Sequence, residues 1–222
     1  MATSYPFKPI TTNGLVTYID STNGKSYSGG SYAHDIVGYS FGPLNNGVGY
    51  FNGSFQFDGV DDIIEFPDVY DVNGSSKLTI SFWTKLNSTT GGLVNYWWDS
   101  NPNGGGIEIE IFSSIVYIAF YSNSYFYTNE VVPTGDWTNF NITYDGDNIE
   151  SDRVKLYVNN TEYSLSVSGT IPSTIQDGEH LKIGRINDRY ISGLIPTVMV
   201  YNRVLSTDEM FLNYGALKNR FI

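Results

Sequence analysis

"LTISFWTK", residues 78–85, alternates through its whole length: Ile80, Phe82 and Thr84 interleave with Thr79, Ser81 and Trp83. A period of two sends the two sets to opposite faces of an extended chain, so the stretch predicts a strand with one dry face and one mixed face. Runs of the same kind recur roughly every 8–12 residues, separated by Gly, Asn, Asp and Pro clusters, which is the pattern of a sandwich or barrel. About a dozen strands are expected. They include Leu15–Ile19, Phe55–Phe57, Ile63–Phe66, Leu78–Lys85, Leu93–Trp97, Ile107–Phe112, Ile115–Tyr121, Trp137–Tyr144, Val154–Val158, Leu181–Ile183 and Ile195–Tyr201. One helix stands out: Ser206 with Glu209 three residues on reads as a capping box, and Met210, Phe211, Tyr214 and Leu217 follow on one stripe. The fold class is therefore all-β, with a short C-terminal helix docked on the sheets.

The 222 residues are enough for one sizeable core and are read as a single domain, 1–222. Lys and Arg number 12 against 23 Asp and Glu, a formal net charge of −11, which disfavours a grip on a phosphate backbone. Nucleic acid is not an expected partner. Charged residues make up only 16%, while Tyr (18), Phe (13) and Gly (23) are plentiful, as in a turn-rich β protein. The absence of cysteine removes disulfides and thiolate metal sites. "MATSYPFKPI" (1–10) has neither the basic nor the apolar region of a secretion signal, and no apolar run approaches a membrane span.

"SFQFDGVDDIIEF" (54–66) places Asp58, Asp61 and Asp62 between two apolar runs. Asp58-Gly59 is a tight-turn pair, so the plain reading is a hairpin with its acids in solvent. The spacing of a helix–loop–helix calcium loop is missing. "YDGD" (144–147), "VNN" (158–160) and "NPNGGG" (101–106) read as loops or hairpin tips.

The blocks "GLVTYID" (14–20), "FQFDGVDDIIEF" (55–66), "LTISFWTK" (78–85), "GDWTNFNITYDGD" (135–147), "VKLYVNN" (154–160), "LKIGR" (181–185) and "YNRVLSTDEMFLNYGALKNRF" (201–221) occur in this order. Together they resemble the laminin-G-like, concanavalin A-like lectin/glucanase superfamily, and the last block is similar to versions in structural proteins of tailed bacteriophages. The resemblance implies a jelly-roll sandwich of two antiparallel sheets. It also implies a calcium site in some members, with acids just before the last long strand. Here Pro196 and Thr197 stand in those places and supply no carboxylate, so that site is expected to be lost. Asp20 with Asp58, Asp61 and Asp62 is an alternative cation set, but no metal or cofactor is expected.

Some relatives of this fold are glycosidases, which place two carboxylates about 5–5.5 Å apart in retaining enzymes. Glu108 and Glu110 point to one side of a strand, yet Phe112 and Ser113 stand where the glucanase-like motif needs a third acid. His34 and His180, the only histidines, lie in separate loop-like contexts. No enzyme is expected. A glycan site is the better candidate: Tyr96, Trp97, Trp98 and Asp99, together with Tyr125 and Tyr127, offer rings for a sugar's apolar face and an acid for its hydroxyls. Packing in the core or between subunits is the competing reading of the same rings.

A lectin-type sandwich without an export signal or disulfides suits assembly in a host cytoplasm into a particle released by lysis. The expected role is a non-enzymatic virion structural protein, in capsid decoration, a head fibre or the tail. Its expected partners are other virion proteins, further copies of itself and glycans, without membrane insertion. The alternatives are a carbohydrate-binding or adhesion module outside a virion and, behind it, a glycosidase.

Overall fold

A computed structural model of the chain describes residues 9–96, 106–121, 124–176, 178 and 180–221. Strands follow one another as β1 (Leu15–Asp20), β2 (Tyr32–His34), β3 (Phe41–Asn45), β4 (Gly49–Phe51), β5 (Ser54–Asp58), β6 (Ile63–Phe66), β7 (Lys77–Leu86), β8 (Gly91–Tyr96) and β9 (Ile107–Phe112). They continue as β10 (Ile115–Tyr121), β11 (Ser124–Thr128), β12 (Trp137–Asp145), β13 (Val154–Val158), β14 (Thr161–Tyr163), β15 (Leu165–Ser168), β16 (Leu181–Ile183), β17 (Arg185–Ile186), β18 (Arg189–Tyr190) and β19 (Ser192–Tyr201). Helix α1 spans Thr207–Leu217, and a 3₁₀ turn over Lys218–Arg220 follows it.

These strands build two large antiparallel sheets and a two-stranded hairpin, β17-β18. One has eight strands in the order β14-β13-β12-β7-β19-β5-β4, with β1 also on β19; the other has nine, β15-β11-β10-β9-β8-β16-β6-β3-β2. β19 organises the first sheet. One of its edges pairs with β7, and the other takes β5 along residues 192–195 and β1 along residues 197–201.

Between the sheets lies the main core, which includes Phe55, Phe57, Phe66, Ile80, Phe82, Ile109, Ile118, Phe126, Phe140 and Val198. Phe82 and Phe140 stack across β7 and β12 with ring centroids 5.1 Å apart. Each such side chain contributes about 1.5–3 kcal/mol by leaving water.

β7 departs from the one-dry, one-mixed expectation in an informative way, because both of its faces are buried. Leu78, Ile80 and Phe82 face the sandwich interior, whereas Trp83 joins Tyr157, Met199, Tyr201, Leu205, Met210 and Leu217 in a second cluster on the far side. That cluster is the seat of α1. The capping box forms as expected: Glu209 N–H donates to Ser206 Oγ at 3.3 Å, and Ser206 N–H to Glu209 Oε2 at 3.0 Å. In the buried stripe Asn213 takes the place of Phe211, and Tyr214 packs part-buried against the cluster. Met210, Asn213 and Leu217 face the sheet while Phe211 is exposed, because Asn213 Nδ2 finds the Tyr201 hydroxyl at 2.9 Å and its Oδ1 accepts from Thr11 N–H at 2.7 Å.

The 54–66 stretch is not a hairpin. β5 lies in the eight-stranded sheet and β6 in the nine-stranded one, so residues 59–62 form an arch over the edge of the sandwich. Both flanking runs bury aromatic and aliphatic side chains, which draws them into opposite layers rather than side by side. Asp62 Oδ2 accepts from Asp58 N–H at 2.8 Å and Asp58 Oδ1 from Val60 N–H at 2.7 Å, closing the corner around Gly59, whose φ is +86°. By contrast, "VNN" forms the tight turn expected of it, with Asn159 and Asn160 both at positive φ between β13 and β14.

Candidate functional site

With α1 laid over the outer face of the eight-stranded sheet, the outer face of the nine-stranded sheet becomes the candidate for recognition. Cross-strand register builds that surface in rows. One row runs Glu65, Lys182, Asn95, Glu108, Ala119, Tyr125 and Ser168; its neighbour runs Gly92, Glu110, Tyr117, Tyr127 and Ser166. Their inward-facing neighbours, Ile109, Ile111, Val116, Ile118 and Phe126, are in the core, so strand alternation forces these residues outward.

The aromatic half of the face is a cluster. Tyr117 and Tyr127 stack at 5.9 Å, Tyr117 and Tyr125 lie 5.6 Å apart, and Tyr125 and Tyr127 6.0 Å apart. All three are part-exposed. Ala119, one strand from Tyr125, is too small to fill its place and leaves a hollow of about 240 Å³, lined by Glu110, Phe112, Tyr117, Ala119, Tyr125 and Arg189.

Arg189 reaches this hollow from the β17–β18 hairpin. Its Nε and Nη2 both donate to Glu110 Oε2, at 2.7 and 2.6 Å. Burial pushes the Glu110 carboxyl above its ordinary range, and the guanidinium beside it offsets only part of that rise. The hairpin is held down at two points. Asn95 Nδ2 donates to Arg185 O at 2.6 Å, and the backbone of Arg185 and Ile186 presses on Gly92 so closely that a Cβ there would stand 2.2 Å from Ile186 N. Farther along the row, Glu65 accepts from His180 Nδ1 at 3.0 Å and faces Lys182 Nζ at 3.8 Å.

The residues singled out from sequence divide accordingly. Tyr125 and Tyr127 lie on the face. Tyr96 does not: its side chain is fully buried between the sheets, and burial drives its phenol far above the ordinary value. The odd–even pattern of β8 explains this, since Asn95 takes the outward position next to it. Trp97, Trp98 and Asp99 lie outside the described residues, as does most of the loop 101–106. Tyr117, Ala119 and Arg189 escaped the sequence reading. Alternation in "IVYIAFY" (115–121) already put Tyr117 and Ala119 on the face opposite Val116 and Ile118, but the reach of Arg189 came only from the chain folding back.

Glu108 and Glu110 do share a side of β9, as expected, with Glu108 buried and Glu110 engaged by Arg189. His34 lies on an edge strand and His180 beside Glu65. The acids of the arch converge, with carboxylate oxygens of Asp58, Asp61 and Asp62 within 4.8 Å of one another. Burial, and then the charges of Asp58 and Asp61, raise the Asp62 carboxyl, although the Asp58 N–H bond pulls the other way. Asp20 is not part of that set: it is buried at the end of β1 and bonded to Tyr18, Thr22 and Arg220. Thr197 sits opposite it in register and Pro196 precedes Thr197, so no acid stands before the end of the last long strand.

A family model for the concanavalin A-like lectin/glucanases superfamily matches residues 57–210. The chain belongs to this superfamily. None of the curated proteins matches it. Among solved structures, this superfamily member is similar to the Trypanosoma rangeli sialidase in complex with 2,3-difluoro-KDN, with a TM-score of 0.67 and 15% identity, over 99% of this chain and 36% of the sialidase. It is also similar to the botulinum neurotoxin serotype D ligand binding domain in complex with N-acetylneuraminic acid, with a TM-score of 0.65 and 14% identity, over 92% of this chain and 51% of the other. The lectin-type chain thus spans about a third of the sialidase's length and half of the neurotoxin domain's. At such identities the likeness is one of fold.

Proposed function

We propose that this chain is a non-enzymatic glycan-adhesion protein that binds sugar on the outer face of its nine-stranded sheet. One observation carries the reading: three part-exposed tyrosines cluster beside an alanine-floored hollow whose far wall is a fixed Glu110–Arg189 pair. A sugar ring presents an apolar face suited to tyrosine and equatorial hydroxyls suited to a carboxylate and guanidinium held in place. Because Glu110 Oε2 already accepts two bonds from Arg189, it serves better as an orienting group than as a free acid or nucleophile. The solved neurotoxin domain with N-acetylneuraminic acid supports a glycan ligand for a sandwich of this shape.

The setting proposed for this adhesion is a virion, assembled in the host cytoplasm with other particle proteins; its support is the resemblance of residues 201–221 to tailed-phage proteins. Mass spectrometry of purified particles tests that setting, and absence of the chain from particles removes it. The binding claim has its own test. On a glycan array the chain is expected to retain at least one oligosaccharide, and Tyr125→Ala or Tyr127→Ala to weaken that binding about tenfold or more. Retention unchanged in both variants refutes the assignment to this face.

A further inference from the structure

We infer that the tyrosine face selects uncharged glycans and rejects those carrying a carboxylate, such as sialylated or uronic-acid sugars. This rests on the glycan reading above and deepens it. A site for an acidic sugar is best served by a cation left over after the protein's own pairs are made, and among the described residues of this face Arg189 and Lys182 are each paired with an acid, while Arg185 is turned to a carbonyl and a ring. Arg189 Nη2 lies 2.6 Å from Glu110. Lys182 is only 6% exposed at its side chain and lies 3.8 Å from Glu65. Arg185, on the hairpin, donates its Nε to Asn187 O at 2.5 Å and lays its guanidinium over the Tyr190 ring at 5.5 Å.

On the rows themselves Glu65, Glu108 and Glu110 stand against Lys182 alone, and Arg189 comes in from the hairpin already paired with Glu110. The molecule's charge of −11 adds a long-range field of the same sign. An arriving carboxylate would therefore meet repulsion on approach. On the surface it would have to share Arg189 with Glu110, which already takes Nε and Nη2 and would stand beside it as a like charge. An uncharged sugar meets neither cost. It stacks on the tyrosines and accepts from or donates to the intact pair.

The experiment uses the full chain against a panel of oligosaccharides immobilised in sialylated and enzymatically desialylated forms, at low and moderate salt. The expected result is binding to desialylated members, at least about tenfold tighter than to their sialylated parents, with the gap narrowing as salt screens the field. Glu110→Gln leaves Arg189 unmatched, so this variant is expected to gain about tenfold or more in affinity for sialylated members. Equal or tighter binding of the sialylated forms by the unmodified chain overturns the inference while leaving the glycan reading in place. Retention of neither form removes the glycan reading itself, and this inference with it. Should Glu110→Gln fold but gain nothing for acidic glycans, charge matching at Arg189 is not what sets the selectivity.

Discussion

Replacing Arg220 with alanine should unlock the C-terminal end of the chain from its first strand. Asp20, 1% exposed at its side chain, ends β1, and four donors satisfy its carboxylate. Oδ1 accepts from the Thr22 N–H at 3.0 Å and hydroxyl at 2.7 Å; Oδ2 accepts from the Tyr18 hydroxyl and Arg220 Nη1, each at 2.7 Å. Burial alone would raise the Asp20 carboxyl, but the bonds from Arg220, Tyr18 and Thr22 outweigh it and hold it below its ordinary range. Breaking a wholly buried pair costs about 3–5 kcal/mol. Arg220 is 36% exposed and three donors remain, so a loss of about 1.5–3 kcal/mol is expected near pH 7. The sign with pH follows from the lowered carboxyl. Its contribution is complete above the ordinary carboxylate range and is lost as pH falls through the depressed folded value, so the gap between wild type and Arg220→Ala should close on acidification. Urea unfolding of both proteins, with Asp20→Asn and the double variant, completes a cycle. The double variant should cost clearly less than the sum of the two single changes. A cost below about 0.5 kcal/mol for Arg220→Ala, or strict additivity, would falsify this account of the C-terminal lock.

Two further outcomes test the supports of the fold and face. The Arg203 guanidinium grips both Glu209 oxygens, at 2.6 and 2.8 Å, and with the Ser206 N–H it brings that carboxyl from 4.5 down to about 2 despite some burial. The stability this gives is full above about pH 4.5 and drains away toward pH 2, so Glu209→Gln should cost about 1–2 kcal/mol at neutral pH and flatten the acid limb of a thermal-melt series; an acid limb identical to wild type refutes it. Gly92→Ala puts a methyl 2.2 Å from Ile186 N, where only backbone can yield, and should lift the β17–β18 hairpin at about 1–3 kcal/mol. Hydrogen exchange should then quicken at residues 185–190 beyond any global change, and unaltered protection there would show that the hairpin does not rest on Gly92.

Strand positions were legible because alternation is local. All eleven predicted strands appear, most within one or two residues of their expected ends, with Trp97 outside the described residues. Strands such as Tyr32–His34, Gly49–Phe51 and Thr161–Tyr163 escaped because most of their positions stay exposed or half-buried and so need no apolar run, unlike the equally short but buried Leu181–Ile183. Partnership was harder to read. Asp58-Gly59 carries a hairpin's turn signal, yet its flanks pair with β19 and β16 in different sheets, and that choice is made by long-range burial. The site shows the same division. Composition points to Tyr125 and Tyr127, which stand part-exposed on the candidate face, and equally to Tyr96, which is buried, because an aromatic at a strand end reads alike whether it points in or out. Arg189 meets Glu110 across 79 positions, a pairing no local window contains.

The two outer faces explain why binding and stability should be separable in this molecule. On the eight-stranded sheet, Trp83, Met199 and Tyr201 turn outward and need a cover, which α1 supplies through Met210 and Leu217. The Arg203–Glu209 fork and the Asp20–Arg220 pair then fasten the helix and the turn behind it. On the nine-stranded sheet, the outward positions of β9 to β11 carry acids, Ala119 and tyrosines that already share their surface with water. Truncating a part-exposed Tyr125 or Tyr127 opens no cavity between the sheets, so its cost to folding should stay near or below about 1 kcal/mol. Loss of glycan retention in those variants, alongside an unchanged melting transition, would therefore report on recognition alone. A collapse of stability on the same substitutions would mean that the tyrosines serve the packing of the sheet instead.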